Sequence, residues 1–253
     1  MTRLVSGIGL AAAALAAIVF LDTFWLGLLA TAVALAAAYE YLRVIGAHPL
    51  IGLLAGFACV WVASRAFDGN ALGAVLLLAG AAVSVAVLFG ESIQSAAASM
   101  YGLIYIGVPM GLLVLTHRLG GRDTVLLLIA TVVVSDTAQY YTGRAFGRRP
   151  LAPAISPKKT VEGAIGGLVV ATLFFVLAAR TLMPFAEAGL LVATGAGMVA
   201  AGIAGDLFES RLKRTAGLKD SSALIPGHGG ILDRIDALLF ATPVFYLFLH
   251  EVM

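Results

Sequence analysis

The 253-residue sequence has a single cysteine, so no internal disulfide can form, and Cys59, alone in an apolar run, reads as a small hydrophobe. Charge is scarce as well. Lys and Arg number 16 and Asp and Glu 14, together 12% of the chain, against 61% hydrophobic residues and a mean hydropathy of +1.02. A soluble domain could not cover that much apolar surface, which excludes one. With a net charge of only +2 and no basic stripe, nucleic acid is not an expected partner. No low-complexity tail or linker is visible, and the alternating ten-residue pattern of an outer-membrane barrel is missing. An open sheet edge cannot face lipid, so a helical bundle is what remains.

What is present are long apolar runs. Charge-free windows at 4–21, 23–39, 44–64, 69–90, 92–117, 163–179 and 188–205 each approach the length of a membrane-spanning helix, which takes about 20 residues. Two more spans carry charge: 123–141 contains Asp136, and 231–250 bears Asp233, Arg234 and Asp236 on its first turns. The expected fold is an all-α, polytopic transmembrane bundle of about nine spans with a cytoplasmic amino terminus. The first window follows a short start with Arg3 and is read as a retained first helix rather than a cleaved signal. Abundant glycine and alanine suit close helix packing. The expected division is 1–120, amino-terminal transmembrane helices, and 121–253, a transmembrane region carrying two polar loops.

Loop charge sets the expected orientation. Twelve cations, from Arg3 and Arg43 to Lys219 and Arg234, fall on the side assigned to the cytoplasm; Arg65, Arg118, Arg122 and Arg180 fall outside. Topology and anionic lipid account for Arg3 and Arg43. They do not account for Asp136, Glu162, Asp206, Asp220, Asp233 and Asp236 on the same side. Carboxylates in a bilayer are costly and by default functional.

The densest polar stretch is Ser210–Asp236, SRLKRTAGLKDSSALIPGHGGILDRID, with five cations and three carboxylates in 27 residues between two apolar spans. Asp233 and Asp236 are three apart and share a helix face, while Asp206 and Ser210 are four apart at the end of the preceding span, with Glu209 beside them. A cation between those helix ends is the functional reading; the bland one is an interfacial ion-pair net with Arg234 and Lys219. A second cluster, Ser135–Gly163, places Lys158, Lys159 and Thr160 just before an apolar span, where helix amide groups, the dipole and two lysines would seat a phosphate. The same residues also make a plain helix start, Thr160 with Glu162.

These residues resemble the phosphatidate cytidylyltransferase (CDP-diacylglycerol synthase) family. Ser210–Asp236 is similar to its pattern Ser-x-apolar-Lys-Arg, four residues, Lys-Asp-x-small, two residues, apolar-Pro-x-His-Gly-Gly-apolar-x-Asp-Arg-apolar-Asp. Asp136, Gly143, Arg144, Gly147, the run Ile155–Thr160 with Glu162 and Gly163, and Gly205, Asp206, Glu209 and Ser210 resemble it too. The specific likeness covers about the carboxy-terminal half; Gln139, where a small residue is expected, is a minor departure. So long a gapped pattern does not arise by chance, whereas HGG or KKT alone would mean little.

The resemblance implies that a region around residues 121–253 is catalytic, transferring CMP from CTP to phosphatidic acid and giving CDP-diacylglycerol and pyrophosphate, with Mg2+. It implies catalytic roles for Asp206, Asp233, Asp236, Lys219 and His228. Phosphate or substrate binding would fall to Lys158, Lys159, Thr160, Ser210, Lys213, Arg214, Asp220, Gly229, Gly230 and Arg234. Asp206, Asp233 and Asp236 would hold Mg2+, with Asp136 a further ligand or an orienter of Lys158, and a second cation is open. Such an enzyme would lie in the inner membrane, its active site at the cytoplasmic face, as a homodimer. A CTP-dependent lipid kinase or ether-lipid cytidylyltransferase is the near alternative. An ion-coupled transporter is the distant one, and it would favour midplane sites and an inverted repeat, neither of which is visible.

Overall fold

The computed structural model describes residues 2–46, 92–225, 227 and 229–253, with a few positions between 80 and 90. The spans expected at 44–64 and 69–90 lie largely outside the described residues, as do Cys59 and His228. Helices α1 (Thr2–Phe20) and α2 (Thr23–Ile45) come first, then α3 (Ile93–Gly102), a π-helical turn (Leu103–Gly107) and α4 (Val108–Phe146). A hairpin of β1 (Pro150–Ala152) and β2 (Ser156–Thr160) leads into α5 (Val161–Leu182), α6 (Ala188–Thr215) and α7 (Leu232–Val252). Five helical stretches among the described residues are long and apolar enough to cross a membrane: Thr23–Ile45, Ile93–Phe146, Val161–Leu182, Ala188–Thr215 and Leu232–Val252. The chain is thus an all-α, multi-pass membrane protein, with one short hairpin among the described residues.

Local chemistry explains the boundaries. Asp22 caps α2, its carboxylate accepting from Trp25 N at 3.0 Å, and Gly46 ends that helix in the left-handed region (φ 72°). Ser92 caps α3 through Ser95 N at 3.1 Å. The run Ile93–Phe146 has 54 residues, about 80 Å of helix against a hydrocarbon core of about 30 Å. It cannot be one crossing. Gly121, at φ 73° and ψ −169°, interrupts it between the two windows expected at 92–117 and 123–141.

The hairpin was not expected from hydropathy. Pro150, Pro153 and Pro157 stop α4 from continuing, and the freed backbone pairs with itself, Pro150 opposite Thr160 and Ala152 opposite Ser156. Val161 N donates to Arg149 O at 2.9 Å, closing the hairpin onto the start of α5.

The described chain forms two compact units, Met1–Arg118 with Thr215–Ile235 and Leu119–Arg214 with Asp236–Met253. In the first, the Tyr41 hydroxyl donates to Ala98 O at 2.8 Å and its ring lies against Gly102, where a Cβ would come within 2.5 Å of it. In the second, Phe175, Phe245 and Phe248 meet edge-on or tilted at centroid distances of 6.0–6.1 Å, at the centre of a core that includes Leu128, Met198 and Leu249. The opposite ridge of α5, Ile165, Val169, Leu173 and Leu177, repeats every four residues and stays exposed, the surface a hydrocarbon phase would cover.

Candidate active site

The end of α4, the hairpin and the start of α5 build one wall of an open cleft in the second unit. Thr160 caps α5, its hydroxyl accepting from Gly163 N at 3.1 Å, so the lysines before it lie on β2 rather than inside the helix. Glu162 Oε2 accepts from the backbone amides of Arg148 at 3.0 Å and Arg149 at 3.2 Å, fastening the turn that follows α4. Two glycines let α4 and α5 approach closely. A Cβ on Gly163 would lie 2.8 Å from Gln139 O, and one on Gly167 would lie 3.1 Å from Ser135 O.

The cleft has a volume of about 350 Å³. Lys158, Lys159 and Arg144 line it beside the carboxylates of Asp136 and Asp206, with Tyr140 and Gln139. The Lys159 ammonium pairs with Asp206 Oδ2, both side chains more than two-thirds buried, and Ser210 donates to Asp206 Oδ1 at 3.3 Å. Gln139 donates to Ser135 Oγ at 3.0 Å. Gly205 brings α6 against α7, because a Cβ there would sit 2.6 Å from Asp236 O. That contact puts Asp206 and Asp236 within electrostatic reach of one another and of Asp136 and Lys159. Lys213 instead pairs with Glu209, buried four residues earlier on α6.

The polar loop before α7 belongs to the first unit. Gly227 and Gly229 take positive φ of 76° and 81°, and Ile225 N donates to Gly229 O at 2.9 Å, which folds the loop tightly. Asp233 Oδ2 accepts from Ser221 N at 3.0 Å, Ser221 Oγ at 2.9 Å and Gly230 N at 2.7 Å. Glu40 on α2 faces the same loop. Its Oε1 accepts from Ser222 Oγ at 2.6 Å and Ile231 N at 3.0 Å, and its Oε2 from Ser221 Oγ at 2.9 Å and Leu232 N at 2.8 Å. Lys219, Asp220 and Arg234 are exposed.

Residues 1–252 match the model of the Cytidylyltransferase family. This chain is a member of the cytidylyltransferase family. Among curated relatives, the phosphatidate cytidylyltransferase of Pseudomonas aeruginosa is 36% identical over 96% of the chain and 94% of the relative. That of Bacillus subtilis is 35% identical over 93% and 94%. The phosphatidate cytidylyltransferase of Haemophilus influenzae is 44% identical, but the match spans 53% of the chain and about half, 48%, of that relative.

Within this cytidylyltransferase, the cleft unites five residues singled out from sequence: Asp136, Lys158, Lys159, Thr160 and Asp206. It also holds Gly143, Arg144 and Gly163, which carried the resemblance, and Gln139, where the resemblance departs, and it adds Tyr140, which no sequence feature marked. Asp236 stands beside Asp206 in the same unit, and Ser210 bonds to Asp206. Lys219, Asp220, Gly229, Gly230, Asp233 and Arg234 lie in or next to the loop of the first unit. There the Gly230 amide, expected to approach a phosphate, donates to Asp233 instead. Glu40 went unread in the sequence although a signal was available: it is the lone carboxylate just beyond the charge-free window 23–39. Glu162 was read as part of a helix start, and its bond to the turn after α4 has no local sequence mark.

Proposed function

We propose that this chain is a phosphatidate cytidylyltransferase, transferring CMP from CTP to phosphatidic acid and releasing pyrophosphate. The observation that carries the reading is the cleft, where Lys158, Lys159 and Arg144 stand beside Asp136 and Asp206 at the end of an apolar helix. The family membership and the curated relatives support it. In the reaction a phosphate oxygen of phosphatidate bonds to the α-phosphorus of CTP while the bond from that phosphorus to the α,β-bridging oxygen breaks. No covalent enzyme intermediate is needed, so catalysis is alignment of two polyanions plus charge neutralisation.

Lys158 and Arg144 would hold phosphoryl oxygens as point charge and fork, and Lys159 would turn from Asp206 toward substrate as phosphate arrives. Lys219 and Arg234, on the exposed loop, would meet the triphosphate. Asp136, Asp206 and Asp236 are hard oxygen donors near one another. Among the described residues no group of three His, Cys, Asp or Glu is placed to hold a metal ion. That set still fits Mg2+, which is held by one or two carboxylates together with substrate phosphates and water. Bound there, Mg2+ would supply charge stabilisation to the phosphoryl groups.

The proposal extends to nine spans with the amino terminus and the polar loops in the cytoplasm, an inner-membrane location and a homodimer, supported by loop charge and small-residue helices. That orientation gives phosphatidate access from its leaflet and CTP access from the cytosol.

The test uses detergent-purified chain with phosphatidate, Mg2+ and CTP labelled in cytosine and in the γ-phosphate. Cytosine label in the lipid and γ-label in pyrophosphate are expected. γ-Label in the lipid would identify a kinase, and no transfer to any phosphorylated lipid would remove the enzymatic reading.

A further inference from the structure

The least expected polar group in the described structure is Glu40. It sits on an apolar helix, 2% exposed, far along the chain from the two polar clusters that mark the carboxy-terminal half. Four donors converge on it, two hydroxyls and two backbone amides, and every one comes from residues 221–232. Ile231 N and Leu232 N are amides that the first turn of α7 cannot satisfy internally. Glu40 is therefore a helix cap delivered from another helix, an anion at the positive end of α7. Gly230 leaves the room for it, since any Cβ there would collide with Ser221 Oγ and a Glu40 carboxylate oxygen.

Asp233 reaches the same loop from the other side, and the Ser221 hydroxyl bridges both carboxylates. The amino end of α7 is thus filled by internal carboxylate. At this loop phosphate would be met by the exposed side chains Lys219 and Arg234, whose positions follow from how the loop is pinned.

We propose that Glu40 is a positioning residue for the reaction, fixing the loop from Lys219 to Arg234 from α2. This rests on the cytidylyltransferase reading above. A glutamine at position 40 has the right shape but one oxygen. Whichever way its amide turns, the serine hydroxyl on the nitrogen side can rotate to accept, but one backbone amide, of Ile231 or of Leu232, loses its acceptor.

The experiment compares the parent chain, Glu40→Gln, Ser222→Ala and Asp22→Ala in detergent with labelled CTP and phosphatidate, measuring kcat per folded molecule, KM for each substrate, and amide exchange over 219–234. Asp22→Ala removes the cap of the same helix far from the loop in sequence and serves as the control for loss of α2 stability. Glu40→Gln is expected to lower kcat about tenfold or more and raise KM for CTP, with KM for phosphatidate little changed and faster exchange at Ile231 and Leu232. Ser222→Ala is expected to show a smaller effect of the same kind, and it carries the test if Glu40→Gln does not fold. Asp22→Ala is expected to keep the parental kcat.

Parental kcat in Glu40→Gln, or an equal loss in Asp22→Ala, overturns the proposal. If the parent itself transfers no label, the functional reading has failed, and exchange judges the anchor separately: unchanged protection in Glu40→Gln would overturn that too.

Discussion

Lys159 and Asp206 form a part-buried pair in a cleft that also holds Asp136, so each charge offsets a neighbour and neither is simply a surface group. Substituting Lys159→Met removes the cation that is proposed to pass from carboxylate to phosphate. A loss of about a hundredfold in kcat is expected, the scale of deleting one preorganised charge donor, while Arg144 and Lys158 keep binding measurable. Steady-state assays on the purified variant check this; a kcat within twofold of the parent would place Lys159 outside the reaction. Asp233 poses a different question, since one of its oxygens already accepts three bonds from Ser221 and Gly230. In Asp233→Asn the amide oxygen can take all three, so these bonds to the loop survive while the charge is lost. The expected outcome is a near-parental melting temperature with at least about a hundredfold less activity. Parental activity would reduce Asp233 to a loop brace.

Close helix approach is the recurrent device at the scale of elements, and Gly205 is its sharpest instance. A valine there would press its Cβ onto the backbone carbonyl of Asp236 and onto the Phe240 ring. Such overpacking costs about 1–3 kcal/mol, and because it parts α6 from α7 beside Asp206, activity should fall along with the melting temperature. Thermal unfolding and turnover of Gly205→Val, measured on one preparation, check the coupling; a fall in one alone would separate packing from the site. The described helices were legible in the sequence, because long apolar windows fall on them. The break near residue 121 was legible too, from Arg118, Arg122 and Asp123 between two windows. The hairpin was not: its residues lack strand alternation, and it forms because three prolines deny the chain a helix. Nor was the role of Glu40, whose donors lie 181 to 192 residues away along the chain. Lys158, Lys159, Asp136 and Asp206 could be singled out because polar residues at a membrane edge have few bland explanations. Tyr140, which completes the cleft, does have one, because an aromatic on an apolar helix reads as packing or interface.

For the whole molecule, orientation decides whether the proposed chemistry is possible, since CTP is cytosolic and the cleft must open to it. The stretch of α4 from Gly121 to Phe146 has 26 residues, about 39 Å of helix and enough to cross the hydrocarbon core. Arg122 stands at one end of it and Arg148 just past the other, both exposed, so they report opposite sides of the membrane. On the proposed nine-span topology twelve of 16 cations would share the side of Arg148, and the positive-inside bias would assign that side to the cytoplasm. With Cys59→Ser as background, a chain with no other cysteine accepts a single reporter. In intact cells a membrane-impermeant maleimide is expected to label Arg122→Cys, and to label Arg148→Cys only after permeabilisation. The reverse pattern would turn the lysine-lined cleft away from its nucleotide, and the cytidylyltransfer reading could not survive it.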